Sequence, residues 1–363
     1  MSFQSPKKIL VIRADRIGDL ILSTPAIKAL KEQSQESSIC VGVRKENKSL
    51  VDGLPFVDSV FEYDPLARHS GGAGLIRLIQ DLRELKADIA VVLQSQPRLS
   101  TAIYLSGIKT RIGPLSKPHS YICFNEGVRQ KRSEVKYHEA EYNILLLEKL
   151  LSTEVVQKLI VQKIDPSVKV DAEAIVKARA WLSSLGWNFV KPLICIHPGM
   201  GGSAENWTLQ NYIDLGRRIN NSGYGVVVSA GPSEFELLGQ FKSQLGQKDG
   251  IYYFGDEGNN GLTEFVALLS ISDLVIAPST GPLHLAVALG KPVMSFFPKI
   301  RVQSKERWGP YGRLAAGQAL VLEPEPGKAV SSISLEKAVD NFDRLVKKVF
   351  NKEDDRESKF IPS

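Results

Sequence analysis

Short apolar runs alternate with amphipathic stretches along most of the chain. Residues 9–14 (ILVIRA), 39–43 (ICVGV), 58–62 (DSVFE), 88–93 (DIAVVL) and 110–112 (TRI) read as strands. The stretches between them are helix-like, notably 74–86, and a helix runs from the turn DRIGD to about Lys31. Pro25 inside that pattern predicts a kink or a late start. A long helix is expected over 136–151 and a strand-like patch over 158–162, followed by a polar linker around Asp165–Asp171. The second half repeats the alternation. Strands are expected at 192–197, 224–230, 251–254, 273–277 and 292–297, and helices at 208–221, 234–246, 262–271, 282–289 and 334–350. Strand–helix alternation at this spacing predicts α/β architecture, with parallel sheets covered on both faces.

Length fits two such units: 363 residues at roughly 100–200 per domain. No run approaches the ~20 apolar residues of a membrane-spanning helix, and ILVI after MSFQSPKK is too short for a signal-peptide core. Cys40, Cys123 and Cys195 are scattered, which suggests a reducing, cytoplasmic setting and no zinc site. Net charge is +6. Residues 1–165 carry 24 Lys and Arg against 19 Asp and Glu, and the remainder 22 against 21. That front-half excess suits an ordinary surface or an acidic partner. Nucleic acid is disfavoured, because no aromatic-interleaved basic stripe or recognisable module appears.

Candidate chemistry gathers where strands end. Asp15–Asp19 (DRIGD) follows the first strand, where ligands bind in open α/β sheets. Gly18 permits a tight turn. Asp19 suits a helix N-cap, a general base for a hydroxyl, or both. Arg13 and Arg16 are either solvated or face an anionic substrate. In 278–284 (PSTGPLH), Ser279 or Thr280 can cap the following helix, Gly281 lets a phosphate approach, and His284 faces the same ligand or is a satisfied core histidine. Gly201, Gly202 and Ser203, in HPGMGGSAENW, form an anion-binding backbone concavity or a plain flexible loop. Gly231, Glu234 and Glu236, in AGPSEFE, offer a carboxylate for a ribose, although Ser233 and Glu236 also fit a capping box. Neither a dinucleotide fingerprint nor a Walker pattern is present.

Together, ILVIRADRIGDLILSTPAIKALK and STGPLHLAVALGKP, with RIGP at 111–114, the His138-Glu139 helix and GPSEFE, resemble the signatures of glycosyltransferase family nine, the ADP-heptose:lipopolysaccharide heptosyltransferase family. The resemblance spans about residues 7–350. It implies a GT-B architecture of two doubly wound Rossmann-like domains facing a central cleft. The acceptor domain would be 1–165 and the nucleotide-sugar domain 166–333. Within 334–363, a C-terminal helix would return to the first domain ahead of a frayed tail.

The resemblance further implies inverting, metal-independent sugar transfer without a cofactor, most simply heptose from ADP-heptose to a lipopolysaccharide-core hydroxyl. Asp19 matches the catalytic base. Arg13, Arg16 and Gly18 would lie on the acceptor side. Ser279, Thr280, Gly281 and His284 would meet the diphosphate, and Glu234 or Glu236 the ribose. Gly201, Gly202, Ser203, Asn206 and Gly231 would complete the donor site. Two positions depart from the pattern: Asn206 stands where a phosphate-binding Lys is usual, and Ser279 where an Asp is usual. Lys299, Arg301, Lys305 and Arg307 are candidates to restore the lost charge. The implied partners are a nucleotide-sugar donor, an anionic glycolipid acceptor and the inner membrane face as a peripheral contact. Two rival readings are a nucleotide-sugar epimerase or hydrolase of the same fold, and a non-catalytic nucleotide-sugar-binding protein.

Overall fold

The computed structural model describes residues 6–201, 205–231, 234–246, 248–255 and 261–357, with side chains up to 350. The chain divides into two units, Met1–Lys169 with Tyr311–Arg313, and Val170–Pro310 with Leu314–Ser363. The division falls inside the polar stretch 165–171.

The first unit holds β1 (Lys8–Ile12), β2 (Ser38–Arg44), β3 (Ser59–Tyr63), β4 (Ile89–Val92), β5 (Thr110–Pro114) and β6 (Glu126–Val128). They form one parallel sheet in the order β3-β2-β1-β4-β5-β6. The second unit holds β7 (Leu193–Ile196), β8 (Gly225–Ser229), β9 (Ile251–Phe254), β10 (Leu274–Ile276), β11 (Val293–Phe296) and β12 (Ala319–Leu322). Its parallel order, β12-β11-β10-β7-β8-β9, is the same doubly wound arrangement read from the other edge. The central strands are buried on both faces, which is why they read as unbroken apolar runs such as IAVV and LICI. The order reverses between β1 and β4, and between β7 and β10, so each unit has a crevice beyond those carboxyl ends.

Several local expectations change. The first helix ends at Ile21 and a second spans Thr24–Gln33 with Pro25 in its first turn, so the proline marks a new start. Residues 158–162 are helical, within Thr153–Gln162: Ser152 caps that helix, and Val156 and Leu159 bury one face. A short apolar run there had the composition of a strand and the three-residue spacing of a helix. The helix expected over 136–151 is Glu139–Leu145 followed by a 3-10 turn, Leu146–Lys149. Strands β6 and β12 were not expected. Each is short, and each is an edge strand that only its pairing defines.

The helix Leu335–Glu357 does not group with the first unit. It buries Ala338, Phe342, Leu345 and Val346 in the second unit's core, at the i, i+4, i+7, i+8 spacing of an apolar stripe. Tyr224 meets Phe342 edge-on at 6.2 Å. Tyr311–Arg313 is the later segment that groups with the first unit, where the Tyr311 ring stacks on His138 at 4.7 Å. No helix among the described residues is long and apolar enough to cross a membrane.

All four tryptophans lie in the second unit, so their fluorescence reports its unfolding. Phe342→Ala should destabilise that unit by about 3–5 kcal/mol, seen as a lowered urea midpoint. A C-terminal helix packed elsewhere would leave the midpoint in place.

Candidate functional site

At the carboxyl end of β1 the chain turns at Ala14–Arg16 into the short helix Ile17–Ile21. The Ala14 carbonyl accepts from Gln96 Nε2 at 3.1 Å and from Arg44 Nε at 3.2 Å, which fixes this turn against the segment after β4 and the end of β2. Arg16, not Asp19, is the N-cap, and its side chain is exposed. Asp19 sits in the first turn, where the helix dipole favours a carboxylate. Gly18 is buried in the same turn and has no positive φ, so a left-handed turn is not what glycine supplies there.

Arg13 is 2% exposed. It does not face outward toward an acceptor, because its guanidinium is the counter-ion of a buried carboxylate cluster. Nε donates to Asp15 Oδ1 at 2.7 Å and Nη2 to Asp19 Oδ1. Nη1 donates to Glu139 Oε1 at 3.5 Å and Asn143 Oδ1 at 3.2 Å. Arg132 pairs with Glu139 from the other side. Burial alone would lower the Arg13 pKa, but Asp15, Asp19 and Glu139 outweigh it and raise it further. For Asp19 the balance is reversed. Burial raises its pKa to about 6, with Asp15 and Glu139 adding repulsion and Arg13 opposing. That is a carboxylate poised to accept a proton near neutrality.

His138 begins the helix Glu139–Leu145 with a capping box: Glu141 accepts from the His138 amide, and His138 Nδ1 from the Ala140 amide at 3.2 Å. This cap aims Glu139 at Arg13. The motif at 138–139 was visible in the sequence. The roles of Glu139 and Asn143 were not, because they depend on contacts with Arg13 across more than a hundred residues. Arg111 of RIGP is used structurally, donating to the carbonyls of Cys123 and Ile108.

In the second unit, β10 leads into 277–280 and the helix Gly281–Ala288. Thr280 is the N-cap by position, but no side chain caps this helix. The Thr280 hydroxyl donates instead to the Pro278 carbonyl at 3.3 Å. The Thr280 side chain therefore leaves the first-turn amides uncapped. His284 is buried in that turn.

Of the glycine-rich loop after β7, the Gly201 amide is taken by the chain's own carboxylate. Gly201 N donates to Glu234 Oε1 at 2.9 Å, and Gly231 N to Glu234 Oε2 at 3.2 Å. A Cβ on Gly199 would stand 1.9 Å from the Glu234 carboxylate, so a side chain there would displace that carboxylate from the two amides. Glu234 thus ties two loops together, while Glu236 is exposed. Glu234 is also the N-cap by position of the helix Phe235–Leu245, without a side-chain cap. The residues Gly202, Ser203 and Ser233 lie outside the described residues.

Asn206 is spent on the same loop. Its Nδ2 donates to the Pro198 carbonyl at 2.7 Å, and its Oδ1 accepts from the Trp207 amide at 2.8 Å and the Tyr212 hydroxyl at 3.0 Å. Neither end of this amide is turned to a donor. Trp207 anchors the segment, donating from Nε1 to the Ile333 carbonyl at 2.7 Å and stacking on Phe296 at 4.4 Å. Of the basic residues after β11, Lys305 pairs with Glu323 at 2.6 Å and Arg307 lies 4.8 Å over the Trp308 ring. Lys299 and Arg301 are exposed.

The sequence profile of glycosyltransferase family 9 (heptosyltransferase) matches residues 75–336. A Haemophilus influenzae protein named as an unproven glycosyltransferase is 32% identical over 306 residues, 84% of this chain and 86% of its own length. Lipopolysaccharide heptosyltransferase 2 of Escherichia coli K12 is 21% identical over 305 residues, covering 80% of this chain and 82% of that protein. The crystal structure of a glycosyl transferase family 9 protein from Veillonella parvula superposes with a TM-score of 0.81 at 21% identity, covering 95% of this chain and 98% of that one. The two doubly wound units are those of the GT-B fold.

His197 offers a check on the loop geometry. Its Nδ1 is 3.0 Å from Ser229 Oγ, and its Nε2 is 3.7 Å from Glu234 Oε2. Burial lowers its pKa to about 4, against the pull of Glu234. The unfolded value is about 6.5. Between these values the unfolded chain binds a proton that the native chain does not. This histidine therefore makes the second unit more stable as pH rises from about 4 to about 6.5. His197→Gln should remove about 2 kcal/mol of the difference between pH 4.5 and pH 7.0. Urea titrations read by tryptophan fluorescence measure it, and an unchanged pH dependence would contradict a buried neutral imidazole.

Proposed function

Because the chain belongs to glycosyltransferase family 9 (heptosyltransferase), we propose that it transfers a sugar from a nucleoside-diphosphate donor to a glycan hydroxyl with inversion and without a metal. The donor is ADP-heptose and the acceptor a lipopolysaccharide-core or related bacterial surface glycan. The observation that carries this reading is the Asp19 carboxylate, half-buried against the buried Arg13 guanidinium with its pKa raised to about 6.

A base of that strength is ionised at neutral pH, yet holds a proton well enough to take one from an attacking hydroxyl. The hydroxyl oxygen forms the new bond to the anomeric carbon as the bond to the diphosphate oxygen breaks on the opposite face. The proton goes to Asp19 and the electron pair to the leaving nucleoside diphosphate. The first-turn amides and the dipole of the helix Gly281–Ala288 meet that negative charge, and His284 stands in the same turn. The chain needs no resident cofactor for these steps. Arg16 is the exposed cation beside Asp19 and suits an anionic acceptor.

The basic excess in residues 1–165 supports an acidic acceptor carried on a glycolipid. On this reading the protein works in the cytoplasm, in salt-sensitive peripheral contact with the inner membrane face. The glycosyltransferase family sets aside the epimerase, hydrolase and non-catalytic readings. Asn206, where a lysine is usual, is committed to hydrogen bonds within its own loop.

Calorimetry of ADP, UDP, GDP and ADP-heptose binding without metal should show selective ADP and ADP-heptose binding, weakened by His284→Ala. Preference for another nucleotide would replace the donor. Asp19→Asn should leave donor binding intact and lower turnover ~10²–10⁴-fold; near-normal turnover would remove Asp19 from the role.

A further inference from the structure

The cluster around Arg13 contains more carboxylates than the chemistry at Asp19 needs. Each nitrogen of the guanidinium has its own acceptor: Nε has Asp15, Nη2 has Asp19, and Nη1 has Glu139 and Asn143. Only Nη2 faces the reacting carboxylate. The other two fix where that nitrogen points. Glu139 is 1% exposed and is itself held by Arg132, whose Nη2 also donates to the Leu93 carbonyl at 3.3 Å. Asn143 is fixed in turn, donating from Nδ2 to the Leu22 carbonyl at 3.3 Å and to Ser23 Oγ at 3.2 Å. The helix Glu139–Leu145 thereby carries both supports of Nη1.

We propose that Glu139 is a positioning residue of the transfer reaction, holding the Arg13 guanidinium and, through it, the Asp19 carboxylate. The inference rests on Asp19 being the base. It adds that the base depends on a charge located more than a hundred residues further along the chain.

The consequence is electrostatic. Arg13 and Arg132 supply two positive charges, whereas Asp15, Asp19 and Glu139 supply three negative ones. The cluster is one proton short of neutral when all its carboxylates are ionised. The remaining charged groups around it are otherwise engaged or exposed. Glu141 and His138 form the helix cap, Arg44 donates to the Ala14 carbonyl and pairs with Glu46 at 3.5 Å, and Arg16 is exposed. Removing one carboxylate other than Asp19 balances the cluster and leaves Arg13 more fully to Asp19. Asp19 then ionises at lower pH and becomes a weaker base. Removing Arg132 does the opposite.

The test is a titration of the full-length protein labelled with carboxyl-¹³C aspartate, which needs no substrate. The Asp19 signal is the one lost in Asp19→Asn. Glu139→Gln should lower its titration midpoint by about half a pH unit or more, Asp15→Asn should lower it too, and Arg132→Met should raise it. With ADP-heptose and a delipidated lipopolysaccharide-core acceptor, the acid limb of kcat should move with the midpoint, and the high-pH plateau of Glu139→Gln should fall several-fold. If Glu139→Gln does not fold, Asp15→Asn and Arg132→Met decide the matter by their opposite signs. A midpoint that stays put, or that shifts the same way in all the variants, overturns the role of Glu139. If this occurs while Asp19→Asn is inactive, the base assignment survives alone. Wild-type turnover in Asp19→Asn overturns the base assignment and the role of Glu139 with it.

Discussion

A buried guanidinium organises the first unit's carboxyl edge. Taking Arg13 out of water is costly unless every N–H finds an acceptor and the charge is matched. The chain meets that demand with Asp15 and Asp19 from its own turn and with Glu139 and Asn143 from a helix far along the sequence. Such a cluster contributes little net stability compared with a packed apolar core. Its effect is on geometry and protonation. Once Arg13 is fixed, the turn after β1, the helix Glu139–Leu145 and the carbonyl of Leu93 after β4 are fixed relative to one another. Asp19 is then held in place with a raised proton affinity that an exposed aspartate would lack.

The second unit has the same strand order and uses a different means at its carboxyl edge. It presents uncapped backbone amides at the helix Gly281–Ala288 rather than a buried charge cluster. Where a carboxylate does enter, as Glu234 does, it occupies the amides of Gly201 and Gly231 and ties two loops into one surface. This occupies the Gly201 amide of the glycine-rich loop. It concentrates the available amide density at the helix Gly281–Ala288, whose N-terminus no side chain caps. Pro282 in the first turn has no N–H to offer, so the amides of Gly281 and Leu283 carry that role.

The fold was legible because parallel strands buried on both faces leave an unmistakable record. Runs such as IAVV and LICI, separated by amphipathic helices, admit few other architectures. The errors came where short segments lack that redundancy. The run at 158–162 is too short for its spacing to outweigh its strand-like composition, and β6 and β12 exist only through pairing with a neighbour. The path of the C-terminal helix was inferred from resemblance rather than from its apolar stripe, and the stripe packs in the second unit. Asp19 and the Gly281 helix were singled out from motifs at strand ends, and the structure places them after β1 and β10. Arg13 was named for its charge and misread for its exposure. A sequence lists ionisable groups, and it does not say which of them share one another's company in the interior. Glu139 and Asn143 became visible only when the fold brought them to Arg13, and Asn206 when its two amide ends were seen to be occupied.

The two departures at the donor side have different weights for this reason. A lysine contributes a mobile charge on a flexible stem, whereas the asparagine at 206 contributes a rigid pair of hydrogen bonds inside its loop. The exchange gives up Coulomb attraction and gains a loop whose shape is set before any ligand arrives. Ser279 adds no charge beside Thr280, so the approach to the Gly281 helix is less acidic than an aspartate there would make it. Losing a cation at one position and an anion at the other leaves the formal charge of this edge unchanged. On the proposed reading, the electrostatic demand of a departing diphosphate then falls on fixed dipoles, which need no rearrangement as the charge develops.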